Sequence, residues 1–345
     1  MKVGVAGASG YAGTELLRLC ASHPDLDVVV ATAGGHEGEG VGVHTPALAE
    51  AYPQLRYAAT EASALDGLDL VFCALPHGAS QALVPELRDR VGAVVDLAAD
   101  FRLRDQDLYP AWYGEAHRAP ELLPAAVCGL PELHREAIRE ARLVAVPGCY
   151  PTAAILALAP LLEAGVLARP GGGTPPLVVD AASGVSGAGR GAAPHLQFGS
   201  VHEDFVAYGL LDHRHTPEME QALGVPLLFT PHLAPMVRGI LVTAYGRPGG
   251  GAHLPSSADA LDVLRQRYAG EPFVVVAEAP PSTKAARGAN TVHLSARVDS
   301  RTGWVVALAA LDNLVKGAAG QAVQCANLVL GLPEELGLPS AGLYP

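Results

Sequence analysis

Along the first hundred residues the apolar positions fall into two textures that alternate. KVGVAG (Lys2–Gly7), DVVVATA (Asp27–Ala33), LVFCALP (Leu70–Pro76) and AVVDLAA (Ala93–Ala99) are short, nearly continuous apolar runs. Such runs read as strands buried on both faces. Between them, TELLRLCASH (Thr14–His23) places Leu16, Leu17, Leu19 and Cys20 on one helical face, and SQALVPELRDR (Ser80–Arg90) reads as another helix. Strands alternating with helices predict a parallel sheet covered on both sides.

After Cys149 the texture changes. GGGT (Gly171–Thr174) reads as a flexible turn. Longer strand candidates follow: PLVVDAAS (Pro176–Ser183), GILVTAYG (Gly239–Gly246), FVVVAEA (Phe273–Ala279), NTVHLSARV (Asn290–Val298) and GWVVALAALD (Gly303–Asp312). Their close succession predicts an antiparallel or mixed sheet. VKGAAGQAVQCANLVLGL (Val315–Leu332) predicts a closing helix. With 345 residues, half of them apolar, the chain is long enough for two domains.

Composition narrows the function classes. Lys and Arg number 23 against 35 Asp and Glu, so the net charge is −12 with no basic stripe for a nucleic acid. No run approaches the ~18 apolar residues of a membrane span, and the N-terminus lacks the pattern of a secretory leader. Cys20, Cys73, Cys128, Cys149 and Cys325 are scattered and odd in number. That argues for reduced thiols and a cytoplasmic protein, against a disulfide frame or a zinc knuckle.

The loop GASGYAG sets Gly7, Gly10 and Gly13 between the first strand and first helix. Glycines there let a pyrophosphate approach the backbone, and the helix start offers N–H donors. An NAD site usually carries a carboxylate at the end of the second strand, yet here none appears before Glu37. NADP is therefore favoured, with Thr32 and the backbone near Gly34 and Gly35 as its contacts.

Cys149 precedes Tyr150-Pro151, and proline favours a first helical position. A helix starting near Pro151 would favour a thiolate at Cys149. An acid/base partner is offered by DHRHTPEMEQ (Asp212–Gln221), where His213 and His215 are two apart. The same pair with Glu218 is also a metal reading, but a third ligand and a cysteine cluster are missing, so no metal is expected. SGVSGAGRG (Ser183–Gly191) suits an anion or a carboxamide, and Arg190 could pair with phosphate or carboxylate. Arg102 of DFRL lies beyond a buried strand, where it would meet a ligand or pair with Asp100. Arg238 of VRGI has the same two readings.

These segments together resemble the N-acetyl-gamma-glutamyl-phosphate reductase family, the acyl-phosphate reductases of arginine biosynthesis. The carriers are GASGYAG, ALPHG, DLAADFRL, GLPEL, PGCYPTA, SGVSGAGR, HRHTPE, PHLAPMVRGI and DNLVKGAAGQAVQ, nearly end to end. The resemblance implies Cys149 as nucleophile, His213 as acid/base and His215 close by. It implies NADP(H) contacts from Gly7, Ser9, Gly10, Tyr11, Ala12, Gly13, Pro76, Ser186, Gly187 and Asn313, beside the Thr32 already named. It sets Arg102, Arg190, Arg238 and Glu132 at a small acyl-phosphate substrate. The implied fold is α/β: a Rossmann-type NADP-binding domain (residues 1–148 plus 313–345) with an inserted α+β catalytic and dimerisation domain (149–312), in a dimer or tetramer. Two departures stand out: Ala98 replaces a serine frequent in the family, and the Ser-Arg pair many members carry after the second strand is missing. Aspartate-semialdehyde dehydrogenase and a lysine-pathway relative acting on a carrier-bound substrate share this chemistry. A cofactor-binding sensor and a cysteine hydrolase are the alternatives outside it.

Overall fold

The computed structural model describes residues 1–169, 171, 177–249 and 254–344; the GGGT turn lies mostly outside them. The chain forms two compact units, Met1–Gly148 with Ala318–Leu338, and Cys149–Gly317 with Pro339–Pro345. Residues 313–317 and the tail from Pro339, expected with the first unit, belong to the second. Hydrogen bonds hold them there: the Asn313 side chain accepts from Gly239 N–H, Asn290 N–H donates to the Pro339 carbonyl, and Leu343 N–H to that of Arg287.

The first unit is built on seven strands: β1 (Lys2–Ala6), β2 (Asp27–Thr32), β3 (Tyr57–Ala58), β4 (Leu70–Cys73), β5 (Ala93–Asp96), β6 (Val127–Cys128) and β7 (Leu143–Ala145). They are all parallel, in the order β3-β2-β1-β4-β5-β7-β6. Strands β4 and β5 are buried at every residue, as two covered faces require. Leu83, Val84 and Leu87 of the helix Ser80–Leu87 join Val71, Val94 and Phe101 in one core cluster. The helix Gly320–Val329 packs on β5 and on the helix Tyr11–Ala21. It is shorter than the expected Val315–Leu332, because Val315–Ala319 winds as a π-helical turn.

The second unit carries β8 (Leu177–Gly184), β9 (Val206–Ala207), β10 (Leu227–Ala234), β11 (Ile240–Gly246), β12 (Val274–Val276), β13 (Val292–Val298) and β14 (Val305–Leu311). Their order is β12-β13-β14-β11-β8-β10-β9, with parallel and antiparallel pairs mixed. The helix Cys149–Glu163 packs on β11, β13 and β14. It is buried from Tyr150 to Leu162, and apolar nearly all round, as a helix enclosed by a sheet and other helices must be. Alternate residues of the strands face the other way and stay half-exposed. Register aligns four of them, Leu228, Val178, Tyr245 and Val306, in one row across β10, β8, β11 and β14.

Candidate active site

In the first unit the glycine loop divides into two constrained positions and one open one. Gly7 has φ +81°, and a β-carbon there would stand 2.4 Å from the Ala74 carbonyl oxygen. At Gly13 a β-carbon would stand 2.3 Å from the Gly7 carbonyl, so this glycine lets the helix Tyr11–Ala21 pack on the loop. Gly10, the N-cap of that helix, would meet nothing closer than 3.7 Å. The protein itself does not require glycine at this helix start. A pyrophosphate at the first-turn N–H groups of Tyr11, Ala12 and Gly13 would use the room that Gly10 leaves, and the loop fits a dinucleotide on that ground. Ser9 borders the approach half-exposed, and Pro76 lies exposed just beyond β4. A cavity of about 450 Å³ nearby is lined by Thr60, Leu75, Ala79 and Leu83.

Thr32 is a correction. Its carbonyl accepts from Gly7 N–H (3.1 Å) and Ala8 N–H (2.9 Å), and its buried hydroxyl pairs with Thr60 at 2.9 Å. It shapes the glycine loop from below, and both its polar groups are spent on protein.

DLAADFRL also turns inward. Asp96 is fully buried and accepts from the Ser80 hydroxyl (2.8 Å) and Ala98 N–H (3.1 Å); burial, then the charge of Asp100, raises its pKa to about 7. The Asp100 carboxylate accepts from the N–H groups of Gly78 and Gln81 and lies against His77. Arg102 donates to the carbonyls of Val146 (2.9 Å) and Leu97 (2.7 Å), tying the ends of β5 and β7. Glu132, expected at the substrate, is buried and receives Gln324 Nε2 at 3.3 Å.

In the second unit Cys149 is the first residue of its helix, two residues ahead of the expected start at Pro151. It is half-buried, whereas Cys20, Cys73 and Cys325 are buried. Burial pushes the Cys20 thiol up to about 12 and that of Cys73 well above its ordinary range, so neither supplies a thiolate. Gly317, in the π-helical turn, backs onto Cys149: a β-carbon there would stand 2.7 Å from Cys149 Cβ. Asp312 winds that turn, accepting from Leu314 (2.8 Å) and Val315 (3.1 Å) N–H at one oxygen and from Gly288 N–H (2.7 Å) at the other.

Around Tyr150 the structure gathers an aromatic cluster. His213 and His215 meet the Tyr150 ring edge-on at 5.7 and 5.9 Å, and each other at 4.8 Å. Phe229 and Tyr208 complete the His213 surroundings at 5.3 and 5.5 Å. The Tyr208 hydroxyl donates to that of Tyr150 (3.2 Å), which donates to the His232 carbonyl (3.1 Å). Burial pushes the Tyr208 phenol up to about 12, with the Cys149 charge adding to it, and moves Tyr150 up as well. His213 Nδ1 accepts the His215 backbone N–H at 3.1 Å, which leaves the hydrogen of the neutral ring on Nε2. Burial, then the Arg214 charge, lowers the His213 pKa to about 4.

The second glycine-rich loop is pinned to the same unit. Asn313 uses both ends of its amide, donating to Ser186 Oγ (2.9 Å) and accepting from Gly239 N–H (2.7 Å). Gly187 is exposed, and a β-carbon there would lie 2.9 Å from Ser183 Oγ. Arg238 sits 3.5 Å from the buried Asp312 carboxylate, and Arg190 is exposed.

Residues 2–141 match the family model for the NAD binding domain of semialdehyde dehydrogenase, and residues 149–313 match that for its dimerisation domain. An N-acetyl-gamma-glutamyl-phosphate reductase of Symbiobacterium thermophilum is 49% identical over 100% of this chain and 99% of its own. The chain belongs to the semialdehyde dehydrogenase family, in its N-acetyl-gamma-glutamyl-phosphate reductase branch. A reductase of the same name from Ectopseudomonas mendocina is 47% identical over the whole of both chains. Solved structures of the semialdehyde dehydrogenase fold are similar too. Aspartate semialdehyde dehydrogenase from Candida albicans, solved with NADP, has TM-score 0.70 at 17% identity over 95% of this chain and 98% of its own. That of Vibrio cholerae has TM-score 0.69 at 18% identity over 96% and 98%. At that identity the likeness is one of fold.

Sequence reasoning missed Gly317 and Tyr208. The motif DNLVKG held a signal for the first, a glycine inside an apolar helical pattern. Tyr208 gave none, since only the fold brings it to Tyr150.

Proposed function

We propose that the chain is an oxidoreductase that reduces N-acetyl-L-glutamyl 5-phosphate to N-acetyl-L-glutamate 5-semialdehyde with NADPH, releasing phosphate, in arginine biosynthesis. The observation that carries the reading is Cys149 at a helix start, braced by Gly317 and followed by a tyrosine in ring contact with two histidines.

The Cys149 thiolate attacks the acyl carbon; the C–S bond forms as the C–O bond to phosphate breaks, giving a thioester and inorganic phosphate. The helix N-terminus favours negative charge on that sulfur. The Gly7–Gly13 loop would hold NADPH, which when bound would supply the hydride that reduces the thioester carbonyl carbon. The oxyanion that develops is met by His213 as a neutral ring donating from Nε2, an electrostatic role rather than that of an imidazolium. Collapse returns the electron pair to sulfur and frees the aldehyde. Ser186, Gly187 and Asn313 belong to the cofactor side of this reading, and His215, Arg190 and Arg238 to the substrate's anionic groups.

The half-exposed apolar row across the second sheet, together with the description of the matching model as a dimerisation domain, supports a homo-oligomer. Among the described residues no helix is long and apolar enough to cross a membrane. Five free cysteines fit a reducing cytoplasm.

The test is NADP reduction in reverse, with N-acetylglutamate semialdehyde and with aspartate semialdehyde, each with and without phosphate. Phosphate-dependent turnover of the acetylated aldehyde, lost in Cys149→Ser while NADPH still binds, supports the proposal. Preference for aspartate semialdehyde overturns the substrate, and normal turnover by Cys149→Ser overturns the mechanism.

A further inference from the structure

The geometry points to a binding site for a late transition metal, of the zinc class, formed by His36, Glu39 and His44 on the loop that follows β2. None of these residues belongs to the proposed reaction. The ligand atoms of the three lie within 4.8 Å of one another. Two imidazole nitrogens converge on one carboxylate oxygen: His36 Nδ1 is 3.1 Å and His44 Nδ1 3.9 Å from Glu39 Oε2. A tetrahedral zinc with bonds near 2.0–2.2 Å sets its ligand atoms ~3.4 Å apart. The first distance must open by about 0.3 Å and the second must close by about half an ångström.

The backbone holds this arrangement in place. Gly38, at φ +81°, turns the chain so that His36 and Glu39 come to one side. Gly38 N–H donates to the Tyr57 carbonyl (2.8 Å), Tyr57 N–H returns to Glu39 (2.9 Å), and Val41 N–H reaches Leu55 (2.9 Å). The Arg56 guanidinium donates to the Gly38 carbonyl at 2.9 Å. The two imidazole rings lie 4.2 Å apart at 52°, and the buried Tyr57 ring edges against His44 at 5.7 Å. A simple ion pair needs one histidine, whereas a metal explains why two direct the same nitrogen at the same oxygen.

Two imidazoles and a carboxylate, with no thiolate, suit Zn²⁺, Ni²⁺ or Co²⁺ over Mg²⁺ or Ca²⁺. His44 is 14% exposed at its side chain but Glu39 50%, so one side stays open for a water or an anion as a further ligand. Such a metal would clip the turn at His36 to the short helix Val41–His44.

The experiment is calorimetric titration of the full, untagged chain with zinc chloride alone, then with magnesium chloride. The expected result is one saturable zinc site per chain, no magnesium site, and loss of the zinc site in the His36→Ala/His44→Ala double variant. Cys149→Ser keeps the site, which separates it from the thiol. Glu39→Gln, a half-exposed change that leaves the metal-free melting curve unmoved, weakens zinc by about tenfold or more. No saturable zinc binding to the wild type, or undiminished binding to Glu39→Gln and the double variant, overturns the proposal.

Discussion

Gly317 backs directly onto Cys149: a β-carbon on Gly317 would lie 2.7 Å from Cys149 Cβ, and another contact, at 3.2 Å, would fall on Leu311. The Leu311 methyl can turn aside, but Cys149 Cβ is fixed to the backbone that opens a buried helix. Gly317→Ala is therefore expected to displace the thiol by a fraction of an ångström to an ångström. Turnover should fall by about 10²-fold while NADPH affinity holds. Steady-state kinetics with cofactor titration check it, and unchanged kcat would remove Gly317 as a positioning residue.

His213 should stay neutral through the working pH range. Its folded pKa, about 4, lies below the ordinary histidine value near 6.5, so between those pH values the unfolded chain binds a proton that the folded chain refuses. Stability therefore falls as pH drops from 6.5 to 4, by on the order of 2 kcal/mol once screening at the half-exposed ring is allowed for. His213→Asn should flatten that slope in melts across pH. It should also cost about 10²–10³ in kcat as a lost oxyanion donor.

Asp96 works in the opposite sense. Its pKa, raised to about 7, means the folded chain keeps a proton that the unfolded chain releases above ~4, so stability drops as pH rises from 4 to 7. Its Oδ2 is buried with no hydrogen-bond partner among the described residues, so the ionised form is poorly served. Asp96→Asn should raise the melting temperature at pH 8 relative to its effect at pH 5, by on the order of 2 kcal/mol in stability. Equal effects at both pH values would show Asp96 to be ionised throughout.

Thr32→Val separates a structural threonine from a cofactor ligand. Loss of the Thr60 partner should cost about 1 kcal/mol in stability. NADPH affinity should change by less than about threefold, well short of a lost charge-assisted contact to phosphate. A large loss specific to NADPH and not NADH would return Thr32 to the 2′-phosphate.

What could be read beforehand followed the range over which each signal acts. The alternation of short apolar runs with helical faces gave the parallel sheet, because burial on both faces leaves its mark on consecutive residues. GASGYAG announced its own loop, since Gly7 and Gly13 are forced by contacts with Ala74 and with the loop itself. Strand β10 was passed over because Pro231 and His232 break its apolar run, a break it tolerates inside a mixed sheet.

The site was harder to read because its residues answer to distant partners. Arg102 could meet a ligand or Asp100 on position alone, and only the fold shows the Val146 and Leu97 carbonyls to which it donates. His36, Glu39 and His44 carry no recognised spacing, since the turn at Gly38 is what folds them together. Tyr208 reaches Tyr150 across 58 residues of chain.

The row formed by Leu228, Val178, Tyr245 and Val306 has a consequence for how the protein is handled. Four strands hold those side chains level, so the surface they make cannot fold away within one chain. In the homo-oligomer proposed above, its shelter comes from another copy of the chain, and mass action then governs how often shelter is found. A dilute sample and a crowded one are not the same material: melting temperature should climb with the logarithm of protein concentration, and a value taken at nanomolar assay levels would understate the endurance of the enzyme where it is abundant.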